Sequence, residues 1–189
     1  MATHQQVHRS GGLFFCTFTC HDWIPLFEQT DSYQLVYDWL DLIRGKGALV
    51  HGYVIMPNHV HVLLSVQRGV NLNQLFSNGK RFIAYAILKK LRRNDDQTTL
   101  DRLKQEVTNS NGSKRIVHKA FRLSTDFREC LTEKFTQQKL DYIHANPVSG
   151  KWKLAEQSQD YIHSSASYYL GKADQHDILV HIADAMMFE

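Results

Sequence analysis

Residues 53–66, "YVIMPNHVHVLLSV", limit what this chain can fold into more than any other stretch. The stretch is apolar and strand-like apart from two histidines, and Pro57 can preset a turn dihedral in its middle. "ALVHGYVIM" and "HVHVLLSV" therefore predict two strands joined by a tight turn at Pro57-Asn58. Strand alternation sends Val60, Val62 and Leu64 to the core and His59, His61 and Leu63 to the opposite face. Side chains two residues apart on a strand lie roughly 6.6 Å apart along the backbone, a spacing from which two imidazoles can converge on one metal ion. Hydrogen-bonded sheet histidines are the alternative reading. A core histidine would be expected among the valines, on the other face.

The remaining elements follow from periodicity. Residues 13–20, "LFFCTFTC", predict a first strand, and "SYQLVYDWLDLIRG" predicts a helix capped by Asp31 or Ser32, with Leu35, Trp39, Leu42 and Ile43 inward and Gly45 as its stop. "LNQLFSNGKRFIAYAILKKLRR" predicts a long helix with Leu75, Phe82, Ala86 and Leu91 on its apolar face, despite Gly79. Residues 94–113 are polar and predict a flexible surface insertion with one short helix around residues 100–107. "KRIVHKAFRL" is expected as the fourth strand. Thr132 then caps "EKFTQQKLDYIHA", a helix ended by Asn146 and Pro147. The order strand, helix, strand, strand, helix, strand is the split βαβ pattern. The expected class is α+β, a ferredoxin-like antiparallel sheet in one domain over residues 1–189, with helices on one face, the other face free, and a C-terminal extension from about residue 150.

Composition removes several classes. With 43% apolar and 22% charged residues the 189-residue chain falls in the ordinary globular range. Three cysteines without C-x-x-C spacing argue against a disulfide framework or zinc ribbon and predict a reducing cytoplasm. No run approaches the ~18 to 20 apolar residues of a membrane span, and "MATHQQVHRSGG" lacks the order of a signal peptide, so an unexported chain without a membrane partner is expected. A net charge of +3 permits a nucleic-acid partner without requiring one.

A second constellation is "QKLDYIHANPV", where Tyr142 and Asn146 stand four residues apart on one helix face. Ordinary packing for Tyr142 and a left-handed helix cap for Asn146 are the alternatives. Taken together, "YVIMPNHVHVLLSV" and "QKLDYIHANPVSGKWKLAEQSQDYIHSSASYY" resemble the single-tyrosine transposases of the HUH superfamily, in particular the branch associated with REP repeats. The resemblance spans residues 13–169. It implies that His59 and His61 are metal ligands, that Tyr142 is the nucleophile delivered by a C-terminal catalytic helix, and that Asn146 is the third ligand at a position where many relatives carry glutamine.

The chemistry implied is cleavage and rejoining of single-stranded DNA, beside a hairpin, through a covalent phosphotyrosine. The cofactor implied is Mg²⁺ or Mn²⁺, with zinc also compatible with the donors. A tyrosine's reference pKa of about 10 means that its phenol needs activation, and no general base stands out in the sequence. Lys80, Arg81, Lys89, Lys90, Arg92 and Arg93 on the second helix, with Lys114, Arg115, Lys119 and Arg122 around the expected fourth strand, are candidate phosphate contacts. Tyr85 and Trp152 are candidates for stacking on bases, Trp152 alternatively packing on the C-terminal segment. The apolar end of the tail suggests docking, on the body or on a second copy in a homodimer. A noncatalytic nucleic-acid-binding module is the alternative function, although the aromatic signature of RNA-recognition domains is absent.

Overall fold

The computed structural model describes residues 11–108 and 114–185. Its centre is a four-stranded antiparallel sheet made by β1 (Gly12–Thr19), β2 (Ala48–Met56), β3 (His59–Val66) and β6 (Asp126–Glu129), in the order β2-β3-β1-β6. This is the split βαβ arrangement, and the class is α+β as expected.

After the one-turn helix α1 (Leu26–Gln29), the helices α2 (Tyr33–Arg44) and α3 (Leu72–Arg93) cover one face. Ser32 precedes α2 and Gly45 ends it, and Val36, Tyr37, Trp39, Leu40 and Ile43 form its buried stripe. Leu42, expected inward, is exposed. On α3 the buried set is Leu72, Phe76, Gly79, Ile83, Ile87, Leu88 and Leu91, so the stripe is rotated from the one expected and Phe82 faces outward. Gly79 is the reason: a Cβ there would fall on the Trp39 indole, so α3 must turn its one side-chain-free position toward α2. Asn71 caps α3 by accepting from the Gln74 amide at 3.0 Å.

Two expectations are corrected. "KRIVHKAFRL" does not supply the fourth strand: β5 (Lys114–His118) pairs only with β4 (Lys104–Thr108), in a separate two-stranded sheet behind the short helix α4 (Gln97–Leu103). The fourth strand is β6, only "DFRE", too short and too polar for periodicity to mark. It keeps the alternation all the same, with Phe127 buried toward α2 and α3. Within the insertion, residues 109–113 lie outside the described residues.

The second face of the sheet is not free either. Helix α5 (Glu133–Ala145) lies on it through Leu140 and Ile143, joining Phe15, Val54, Met56 and Leu63. The tail completes this layer and docks on the body, along the outer edge of β2. The Ile55 amide donates to the His163 carbonyl at 2.9 Å, Ser165 donates to Tyr53 at 2.9 Å, and Val180 donates to Val50 at 2.9 Å. Trp152 packs into this layer with Leu154 and Tyr169. An edge strand that would otherwise offer unpaired amides is thereby partnered within the chain. Among the described residues no helix is long and apolar enough to cross a membrane.

Candidate active site

Register puts the two histidines on the α5 face. Thr17 of β1 stands opposite His61, and Thr19 opposite His59, while Phe15 pairs with Leu63. Directly opposed residues share a face, so β1 and β3 contribute to one polar patch in an otherwise apolar layer. The turn that starts β3 is fixed from outside: the Asn58 carbonyl accepts from Cys20 at 2.8 Å and the Pro57 carbonyl from Phe27 at 3.0 Å.

Both imidazoles are buried, His59 with 8% and His61 with 5% of its surface exposed. Their rings meet edge to face with centroids 4.7 Å apart. Burial brings His59 down to about 4, opposed by a hydrogen bond with the Asn146 side chain. His61 is held well below the usual imidazole range, by burial first and then by His59 and Lys139. Near pH 7 both are neutral, the state a ligand must have.

Their tautomers are also constrained. The Asn58 amide nitrogen donates to the Trp23 carbonyl at 3.0 Å, which turns its oxygen toward His59 Nδ1 at 2.7 Å. An amide oxygen only accepts, so Nδ1 carries the proton and Nε2 keeps its lone pair. His61 Nδ1 lies 2.7 Å from the Thr17 hydroxyl. Its Nε2 is buried and, among the described residues, has no hydrogen-bond partner. Leaving a buried nitrogen unmet costs about 1–3 kcal/mol. Trp39 Nε1, the other such atom among the described residues, is packed against Gly79 in the core, whereas His61 Nε2 belongs to a ring beside a second imidazole and a half-exposed phenol.

Tyr142 reaches the same patch from α5. Its ring centroid is 5.1 Å from that of His61 and 5.9 Å from Phe15, and 49% of the residue remains exposed. Asn146 follows one turn later in right-handed helical backbone, φ −56°, opening a short 3-10 turn with Pro147. The left-handed cap considered for it is therefore not formed. Helix α5 owes its seat to Gly52, where a Cβ would come within 2.7 Å of Leu140. Gly52 follows a β-bulge at His51 that shifts the β2–β3 register.

The donors fit a divalent cation: two buried neutral imidazoles, His59 with its lone pair on Nε2 and His61 with an Nε2 that no described group meets, and the Asn146 amide beside them. Among the described residues no group of three His, Cys, Asp or Glu forms such a site, and the amide of Asn146 is the further polar side chain that reaches His59.

The fold has a solved counterpart. A REP-associated tyrosine transposase bound to a REP hairpin superimposes with a TM-score of 0.66 over 91% of this chain and 87% of its own, at 15% sequence identity. The two chains share a fold. No protein-family model matches the sequence, and no curated protein does. At this identity the likeness to the transposase concerns architecture, and the residues have to be argued from their own geometry.

The structure does not gather the proposed phosphate contacts around the histidines. Helix α3 lies under the sheet face opposite to theirs, so Arg81, Lys89, Arg92 and Arg93 are exposed on the far side of the molecule. Lys80 is withdrawn from the surface set. Its ammonium donates to the carbonyls of Arg122 and Leu123 at 2.6 and 2.9 Å, and burial lowers it to about 8. Lys90 donates to the Asp31 carbonyl. Lys119 follows β5, half-buried, and its amide donates to the Leu103 carbonyl. Lys114 and Arg115 open β5, and their side chains fall outside the described residues. Arg122 alone of this set stands near the site, its guanidinium 4.9 Å from the Trp23 ring, and Trp23 meets His59 edge to face at 5.8 Å.

Four participants were not read from the sequence: Thr17, Asn58, Trp23 and Lys139. Thr17 carried the signal of alternating with Phe15 on a predicted strand, and Lys139 that of lying one turn before Tyr142. The Lys139 ammonium is 5.1 Å from the Phe15 ring, 4.9 Å from Phe135 and 5.8 Å from Tyr142.

Proposed function

We propose that this chain is a metal-dependent single-tyrosine DNA transesterase of the HUH type, which cleaves and rejoins single-stranded DNA beside a hairpin. The observation that carries the reading is the buried, unpartnered His61 Nε2 with the Tyr142 ring 5.1 Å from its own. A structural histidine would be satisfied, and a packing tyrosine on this helix would turn inward with Leu140 and Ile143. The shared fold, and the hairpin bound by the solved transposase, support DNA as the substrate.

His59, His61 and Asn146 would hold Mn²⁺ or Mg²⁺. When bound, such a cation neutralises the anionic oxygens of a phosphodiester and orients it for in-line attack. The chain's own groups do the rest. Tyr142 Oη forms a bond to phosphorus as the bond from phosphorus to the 3′ oxygen breaks; the phenol proton leaves to solvent and the departing 3′ oxygen takes one up. Lys139 adds positive charge beside the phenol, where the transferred phosphate resides. The reverse reaction with another 3′ hydroxyl reseals the strand without an external energy source.

Incubating labelled single-stranded hairpin DNA with the protein and Mn²⁺ should give a denaturation-resistant adduct that is absent in Tyr142→Phe. His59→Ala and His61→Ala should each lose it while keeping the far-ultraviolet dichroism of the parent. Binding of the strand with no adduct in the parent would overturn catalysis and leave a noncatalytic binding module.

A further inference from the structure

The 3-10 turn His21–Trp23 places two consecutive non-glycine residues in the left-handed region, Asp22 at φ 47° and Trp23 at φ 57°. Such backbone is unfavourable for L side chains, and a bulky aromatic there is a genuine outlier. The surroundings hold it in place. The Cys20 amide donates to the Asn58 carbonyl, His21 donates to Ala120 at 2.8 Å, and the Trp23 carbonyl accepts from Asn58. The result is an indole with 48% of the residue exposed, next to His59. Size does not explain the exposure, because the same side chain at position 39 is buried to 6%.

What the turn achieves is position. Trp23 borders the histidine patch, with the Arg122 guanidinium over its ring. Arg122 is itself anchored by its amide on the Thr19 carbonyl at 2.9 Å. An exposed flat aromatic surface with a cation lying on it matches a nucleotide, whose base stacks and whose phosphate is anionic. Resting on the reading of the site given above, we propose that Trp23 is the stacking platform for an unpaired base adjoining the attacked phosphate, and that Arg122 meets that nucleotide's phosphate. Any base presents a π face, so the subsite selects single-stranded over paired DNA without selecting a sequence.

The test uses the full chain without added metal and two probes, an oligothymidylate and an abasic strand of the same length. Tryptophan emission should be quenched by the oligothymidylate. Trp23→Ala should bind it about tenfold more weakly, Trp23→Leu likewise, and Trp23→Phe should bind as the parent does while losing the quenching signal. On the abasic strand Trp23→Ala and the parent should bind alike. Equal binding of oligothymidylate by Trp23→Ala and the parent overturns the stacking role, as does a loss that persists on the abasic strand. The adduct assay is a separate readout: stacking without an adduct would sink the transesterase alone, and an adduct with no contribution from Trp23 would sink the subsite alone.

Discussion

The two faces of the central sheet are made by the same strands and differ in what they bury. Toward α2 and α3 stand Phe14, Cys16, Phe18, Val60, Val62 and Leu64, a layer without a polar side chain from either central strand. Toward α5 the intervening residues include Thr17, Thr19, His59 and His61, in an apolar cluster that is much smaller. One residue of displacement along β3 separates a core position from a position in the candidate site. The first face supplies stability by apolar burial, and the surplus lets the second hold neutral histidines; among the described residues an unmet buried nitrogen stands on each face, Trp39 Nε1 on the first and His61 Nε2 on the second. Its helices have different tasks accordingly: α3 packs, and α5 delivers.

The largest break comes from giving the first face the polarity of the second. Val62→Asp puts a carboxylate where the residue is fully buried, and a loss of more than about 4 kcal/mol is expected, seen as a chain without a cooperative urea transition. A folded Val62→Asp would mean that the two faces are less distinct than their packing implies. Next is Lys80→Gln, which should cost about 1.5–3 kcal/mol through the carbonyls it abandons, with the salt dependence of single-strand binding unchanged. Lys89→Gln, on the exposed far side, should leave both stability and salt slope unchanged; a slope lowered by about 0.7 would put a phosphate on that face.

Gly52→Val tests the seat of α5. Its Cβ collides with Leu140, so a loss of about 1–3 kcal/mol in urea should accompany slower adduct formation in a chain that still folds. His61→Leu should move stability little. It removes the unmet Nε2 but also the 2.7 Å bond to the Thr17 hydroxyl, so stability should shift by no more than about 1 kcal/mol either way, while calorimetric Mn²⁺ uptake disappears. A loss above about 2 kcal/mol would make His61 a structural residue.

The smallest effect is local and acid-driven. At the seam between the tail and β2, burial holds His163 at about 4 and His51 below 6.5. Unfolded histidines take up protons near 6.5 and these do not, so their contribution is complete above about 6.5 and falls away as the pH approaches 4. Hydrogen-exchange protection of the Ile55, Ser165 and Val180 amides should therefore drop across that window before protection within α3, which carries no histidine, does. A uniform drop would mean that tail and body open together.

Much of this architecture was legible in the chain. The β2–β3 hairpin, the division of β3 into two faces, and the limits of α2, α3 and α5 follow from period, caps and breakers, which act over a few residues. The phase of α3 was not legible, because Phe82 outranks Gly79 on any hydrophobicity scale and only the Trp39 indole across the interface reverses their order. Nor was β6, since a four-residue strand is defined by the partner it meets in β1. The candidate site divides in the same way. The sequence by itself determined that two imidazoles share a strand face and that a phenol and an amide share a helix face, because those relations are set by the backbone periods of 2 and 3.6 residues. Only the tertiary structure decided that these faces meet, that Asn58 sets the His59 tautomer, that Trp23 stands at the border and that Lys80 is spent on carbonyls. Those outcomes depend on groups far apart in the chain competing for the same space and the same hydrogen bonds, and no local pattern encodes which of them prevails.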